Sequence, residues 1–76
     1  MKNSISLLLL VLFATTAFTQ IKEDYYDWGF ESYKNGNYQT SVDQYTKAIN
    51  LDKAYYDCYY NRGLAYYCKS SKKVNL

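Results

Sequence analysis

The chain has 76 residues, a formal net charge of +2, eleven tyrosines, and neither proline nor histidine. This length allows one small domain, and the absence of histidine removes the commonest general base and metal ligand. The weak net charge gives no support for nucleic-acid binding. Because large apolar and aromatic side chains are plentiful, the composition excludes a disordered chain.

The first twenty residues have the three-part layout of a secretory signal. Lys2 makes a basic start, residues 5–13 form an apolar run interrupted only by Ser6, and small residues follow. The run is too short to span a membrane, which takes about 20 apolar residues. Signal peptidase sites have small residues at the cleaved position and two residues before it. Cleavage after Ala17 or after Thr19 meets this requirement, and we favour Thr19. An uncleaved anchor or a buried core helix is the alternative.

A first helix is predicted from about Lys22 to Asn35. Its face at helical spacing consists of Tyr25, Trp28, Gly29, Ser32 and Tyr33. Gly36 then ends the helix because glycine adopts the left-handed conformation without strain, and Asn37 is the expected N-cap of the next helix.

A second helix is predicted from about Gln39 to Leu51. Its apolar face consists of Tyr38, Ser41, Val42, Tyr45, Ala48 and Ile49. A third helix is predicted from about Ala54 to Cys68, with stripes made by Tyr56, Tyr59, Tyr60, Gly63, Leu64 and Tyr67. The break at Asp52-Lys53 is weak because no proline follows, so fusion of the second and third helices is the alternative.

Cys58 and Cys68 are the two cysteines of the chain. On one helix they lie about 15 Å apart along the axis, whereas a disulfide needs Cα atoms within about 7 Å. An intrachain bridge therefore requires a break in that helix. Free thiols and a bridge between chains are the other options.

The chain matches itself after a shift of 34 residues. The shift aligns Tyr25 with Tyr59, Tyr26 with Tyr60, Gly29 with Gly63, and Tyr33 with Tyr67. A repeat of this period built from two helices is typical of a solenoid, and the match ends after Cys68. Glycine within a helix costs about 1 kcal/mol relative to alanine. Its recurrence therefore indicates close approach of a neighbouring helix, with Ser41 and Ala48 as small partners and Trp28 and Tyr45 as large buried rings.

These residues resemble a tetratricopeptide repeat. The resemblance rests on Trp28-Gly29, residues 34–38, Ser41, Tyr45 and residues 47–52, followed by the start of a second repeat at residues 59–67. Ser41, Lys53 and Trp28 depart from the usual alanine, proline and leucine. The resemblance implies an all-α fold, namely the antiparallel helical hairpin of a solenoid plus the first helix of a second repeat. We divide the chain into a signal peptide (1–19), a repeat region (20–68) and a basic tail (69–76), which we expect to be frayed.

The resemblance also implies a module that binds protein or peptide segments on a concave face made by the first helix of each repeat. The candidate binding residues on that face are Tyr26, Phe30, Tyr33, Tyr60, Asn61, Leu64 and Tyr67. The Asn61 amide has both donors and an acceptor for a peptide backbone. Tyr25, Tyr38, Tyr45 and Tyr59 are assigned mainly to packing. A lysine clamp for a terminal carboxylate is not expected, because Tyr26, Phe30 and Asp57 occupy matching positions.

We expect no enzymatic activity, cofactor, metal or nucleic-acid partner, and membrane contact only through the signal peptide. Secretion or export to a periplasm is the expected localisation. The third helix leaves Tyr59, Gly63, Leu64 and Tyr66 without a covering helix, which predicts a homodimer or loose aggregation. The alternative function is that of a truncated fragment of a longer tetratricopeptide repeat protein with little activity of its own.

Overall fold

The structure, a computed structural model, describes residues 21–74, with side chains for residues 21–72. It contains three helices: α1 at residues 21–34, α2 at Tyr38–Leu51 and α3 at Tyr56–Val74. No strand occurs in this part of the chain, so the predicted all-α class is confirmed. None of its helices has the length and apolar character needed to cross a membrane. The predicted signal peptide lies outside the described residues.

The turn between α1 and α2 reverses the chain at Gly36. This glycine has a φ of 80°, in the left-handed region expected from the sequence. The N–H of Gly36 donates to the Tyr33 carbonyl at 3.1 Å, and the N–H of Asn37 donates to the Ser32 carbonyl at 2.9 Å. These bonds satisfy the last carbonyls of α1. Asn37 occupies the predicted N-cap position of α2, although its side chain makes no capping hydrogen bond.

The connection between α2 and α3 is a true break, so the two helices are not fused. Asp52 has extended backbone angles, φ −145° and ψ 100°. Its carboxylate accepts the N–H of Ala54 at 3.0 Å and the ammonium of Lys22 at 2.6 Å. The Lys22 hydrogen bond and then the Ala54 N–H hold the pKa of Asp52 below its usual range. Asp52 therefore stops α2 without a proline.

The third helix is longer at its C-terminal end than the sequence indicated. It was predicted to end near Cys68, but it continues to Val74. The Lys69 ammonium donates to the Gln39 side chain on α2, which fixes the start of this extension. Serine and lysine are compatible with a helix, so their polarity alone does not end one. α3 therefore includes residues 69–74, which the sequence analysis assigned to the basic tail.

The core forms around α2. Five of the six residues of its predicted apolar face are buried, namely Ser41, Val42, Tyr45, Ala48 and Ile49, whereas Tyr38 is half-buried. α3 adds two buried residues, Cys58 and Ala65. Burial raises the pKa of Tyr45 to about 12 and that of the Cys58 thiol to about 11. Both cysteines are free thiols.

The predicted close approach at Gly29 is confirmed. The Ser41 hydroxyl on α2 donates to the Gly29 carbonyl on α1 at 2.7 Å. A Cβ atom at Gly29 would lie 2.8 Å from carbons of the Tyr45 ring, a separation that real Cβ atoms essentially never show. Glycine is therefore required where the two helices meet.

The predicted burial of Trp28 was wrong. Its side chain is 54% exposed, and its ring makes an edge contact with Tyr25 at a centroid distance of 5.5 Å. Trp28 lies about 100° around the helix from Gly29, which faces α2, so Trp28 falls on the outer side of α1. Tyr59, also assigned to packing, is 39% exposed, although its hydroxyl donates to the Lys53 carbonyl at 3.0 Å.

Candidate functional site

A small cavity lies where all three helices meet. Its volume is about 90 Å³, and it is lined by Phe30 and Tyr33 from α1, Tyr45 from α2, and Asn61 and Leu64 from α3. Four of these five residues, all but Tyr45, were predicted as binding residues. We call this space the apolar cavity, because Asn61 is the only amide among aromatic and aliphatic side chains.

Tyr26 is hydrogen-bonded to Asn61, the polar residue that lines the apolar cavity. The Asn61 amide donates to the Tyr26 hydroxyl at 3.1 Å. The Tyr26 ring stacks on Tyr55 at 5.5 Å with an interplanar angle of 20° and contacts Tyr45 at 5.8 Å. Tyr26 is therefore half-buried and helps to hold the helices together, with its hydroxyl next to the apolar cavity.

A second, larger cavity lies near the α1–α2 turn. Its volume is about 330 Å³, and its lining residues are Gly36, Tyr38, Tyr67, Cys68, Ser71 and Lys72. We call it the basic cavity because Lys72 is its charged residue. Of the predicted binding residues, Tyr67 lies here, while Tyr60 is 71% exposed and lines neither cavity.

The two cavities are neighbours. Tyr33 lines the apolar cavity, and its hydroxyl lies 3.5 Å from the Cys68 sulfur, which lines the basic cavity. The hydrogen bond with Cys68 raises the pKa of Tyr33 above its ordinary value. The Tyr33 ring also makes an edge contact at 5.7 Å with Tyr38 of the basic cavity. Tyr33 therefore lines the apolar cavity and contacts two residues of the basic cavity, Tyr38 and Cys68.

The profile of a family described as "TPR repeat" matches residues 29–69. This segment covers more than half of the chain and includes α2, most of α3 and Gly29. The chain belongs to the tetratricopeptide repeat family. No curated protein and no solved structure matched the chain.

Tetratricopeptide repeats are generally non-catalytic modules for protein interaction. Among residues 21–72, no three acidic, cysteine or histidine side chains converge to hold a metal ion. The two cavities together contain aromatic rings, one amide and one lysine. We refer to the apolar cavity, the basic cavity and the surface joining them as the groove.

The charges along the repeat follow its helix ends. Glu23 and Asp57 lie in the first turns of α1 and α3, whereas Lys34 and Lys72 lie in their last turns. Lys34 also lies over the Phe30 ring at 4.9 Å and pairs with Glu31 at 2.9 Å. α3 therefore has an acidic residue in its first turn and a lysine in its last turn, whereas the first turn of α1 also contains Lys22 and its last turn also contains Glu31.

Several residues of the groove were missed by the sequence analysis. Tyr45 was assigned mainly to packing, yet it also lines the apolar cavity. Tyr55 was not singled out, although it stacks on Tyr26 and lies under the Lys22 ammonium at 5.1 Å. Lys72 was placed in a frayed tail. The continued helical spacing from Leu64 through Cys68 to Lys72 was the available signal.

Proposed function

We propose that this chain binds a protein or peptide segment in the groove formed by its three helices. The observation that supports this proposal is the apolar cavity, in which aromatic and aliphatic side chains from three helices surround one amide. A pocket that is mostly apolar and has one polar group is the usual form of a specific binding site.

The chemistry of the apolar cavity suits a peptide with one apolar side chain. That side chain would fill the space between Phe30 and Leu64. An amide has two N–H donors and one acceptor oxygen, and the bond to Tyr26 uses one donor. Asn61 therefore retains a donor and an acceptor for the backbone of a bound peptide, which would fix its register.

A selection experiment tests this function. The protein is expressed from its full sequence, including the predicted signal peptide, in a secreting host. The purified protein is then used to select from a random twelve-residue peptide library. We expect selected peptides to share one large apolar residue. Leu64→Glu should weaken their binding at least tenfold, because it puts a charge into the apolar cavity.

The matched control is Ser70→Glu, which adds the same charge at an exposed position of the same helix. It should leave peptide affinity unchanged, and circular dichroism should show equal helicity for both variants. Failure to select any peptide, or equal binding by the Leu64→Glu variant and the wild type, would contradict the proposal.

We also propose that the protein is exported and acts outside the cytoplasm, as a secreted or periplasmic protein. The support is the basic start at Lys2, the apolar run over residues 5–13 and the small residues up to Thr19. Mass spectrometry of the exported protein should find a mature N-terminus at Gln20, or at Phe18 if the other site is used. A product that still begins at Met1 would be evidence against it.

A second candidate function is self-association through the open face of α3, which we define as Tyr59, Gly63 and Tyr66. Tyr59 is 39% and Tyr66 50% exposed. Gly63 corresponds to Gly29 in the repeat, yet a Cβ atom at Gly63 would meet nothing within 4 Å. Sedimentation across a hundredfold concentration range should reveal a dimer at micromolar concentrations, and Gly63→Leu should abolish it. A monomer throughout would exclude this candidate.

A further inference from the structure

We propose that the groove recognises a peptide with an acidic group three or four residues from its apolar side chain, and that Lys72 binds this acidic group in the basic cavity. This inference rests on the proposed function, because the apolar side chain anchors the peptide in the apolar cavity. It adds a second binding site and a sequence preference for the partner.

The residues that line the basic cavity favour an acidic ligand. Lys72 provides an ammonium group and Ser71 a hydroxyl donor, next to the rings of Tyr38 and Tyr67. The described residues that line this cavity include no carboxylate. Among residues 21–72, the ion pairs are Lys22 with Asp52 and Lys34 with Glu31, and neither involves Lys72. A carboxylate is the side-chain group that complements such a site.

The contact between the two cavities lets one peptide occupy both. Tyr33 lines the apolar cavity and lies 3.5 Å from Cys68 of the basic cavity. A peptide leaving the apolar cavity toward the C-terminal end of α3 would therefore cross only the Tyr33–Cys68 contact. At the opposite end of α3 the first turn contains Asp57, which would not attract an acidic group.

The helix geometry sets the spacing of the motif. Leu64 and Lys72 are eight residues apart on α3, which is about 12 Å at about 1.5 Å per residue. An extended peptide rises about 3.3 Å per residue. Three or four peptide residues therefore span the distance from the apolar cavity to the basic cavity.

Cys68 supplies a direct readout of this second site. Its thiol lines the basic cavity and is partly exposed. Cys58 is fully buried, and burial raises its thiol pKa to about 11, so it remains a poorly reactive neutral thiol at pH 7. Alkylation of the folded chain by iodoacetamide therefore reports on Cys68, and a peptide in the basic cavity should slow it.

The experiment uses the peptides selected from the random library with the full chain. We expect Asp or Glu to be enriched three or four positions from the shared apolar residue. A selected peptide is then compared with its Asp→Asn form against the wild type, Lys72→Met and Lys53→Met. Lys53 lies in the exposed α2–α3 connection, so its substitution removes the same charge far from the basic cavity.

The wild type and Lys53→Met should bind the acidic peptide about three- to fivefold more tightly than its Asn form, as expected for an exposed ion pair. Lys72→Met should bind both peptides equally, with the affinity that the wild type has for the Asn form. The acidic peptide should also slow alkylation of Cys68 in the wild type.

Two results would overturn the inference while leaving the proposed function intact. One is selection of peptides with the apolar residue but no acidic preference. The other is an equal Asp-to-Asn difference in the Lys72→Met and Lys53→Met variants. Loss of binding by Leu64→Glu would still support the groove in either case. Failure to select any peptide would instead contradict the proposed function itself.

Discussion

Gly29 and Gly63 occupy equivalent positions in the repeat but have different surroundings. At Gly29 the Tyr45 ring leaves no room for a Cβ atom, and Ser41 donates to the glycine carbonyl. At Gly63 the space around the backbone is open. Glycine therefore permits the close approach of two helices at Gly29, whereas at Gly63 it only weakens the helix.

Alanine substitution at these two glycines should have opposite effects on stability. Gly29→Ala should destabilise the chain by about 1–3 kcal/mol, because the added methyl group overlaps the buried Tyr45 ring. Gly63→Ala should stabilise it by up to about 1 kcal/mol, because alanine is the better helix former. Urea unfolding followed by circular dichroism at low micromolar concentration measures both. Equal effects of the two substitutions would show that the Gly29 contact does not constrain the fold.

The buried hydroxyl and thiol groups predict a loss of stability in alkali. Burial raises the pKa of Cys58 from 9.0 to about 11 and the pKa values of Tyr45 and Tyr55 from 10.0 to about 12. A group whose pKa is raised by folding stabilises the fold fully below its ordinary pKa, and this contribution disappears as the pH rises through the folded value.

The free energy of unfolding should therefore be level near pH 8 and fall between about pH 9 and 12. Urea titrations at half-unit pH steps measure this fall. The Cys58→Ala variant should lose the part of the fall that begins near pH 9 and keep the tyrosine part. A wild-type stability that is constant up to pH 11 would contradict the burial of these groups.

At the scale of the elements, the connection between α2 and α3 depends on Asp52. Its carboxylate binds the Ala54 N–H and the Lys22 ammonium, while its backbone is extended. Residues that precede proline favour this extended region. The connection therefore has the geometry of a proline-containing turn, although Lys53 occupies the place of the proline.

Lys53→Pro should accordingly stabilise the chain by about 0.4–1 kcal/mol, because proline restricts the unfolded chain at a position where the preceding residue is already extended. Ala54→Pro is the control, since it removes the N–H that donates to Asp52 and should destabilise the chain. Thermal unfolding should place the melting temperature of Lys53→Pro above, and that of Ala54→Pro below, the wild-type value. A lower melting temperature for Lys53→Pro would be inconsistent with this geometry.

The sequence predicted those elements whose pattern is local. The buried face of α2 and the left-handed Gly36 follow from helical spacing and from the conformational freedom of glycine. The position of Trp28 did not follow, because a large ring on a helical stripe is buried only if the partner helix lies on that side. The stack of Tyr26 on Tyr55 was also missed, because it joins α1 to the α2–α3 connection and depends on how the chain folds back on itself.

At the scale of the whole molecule, α3 has two surfaces with different expected partners. Asn61 and Leu64 face the groove shared with α1 and α2, whereas Tyr59 and Gly63 belong to the open face. A peptide in the groove and a second copy on the open face would therefore contact different residues of one helix. The proposed function requires the first surface to bind a peptide whether or not the second is covered.

Mapping of backbone amide signals by NMR during titration with a selected peptide tests the central claim most directly. The account predicts that the largest shifts occur in the groove, at Phe30, Tyr33, Asn61 and Leu64, with smaller changes around Tyr59 and Gly63. Shifts concentrated at Tyr59, Gly63 and Tyr66, with the groove signals unchanged, would contradict it.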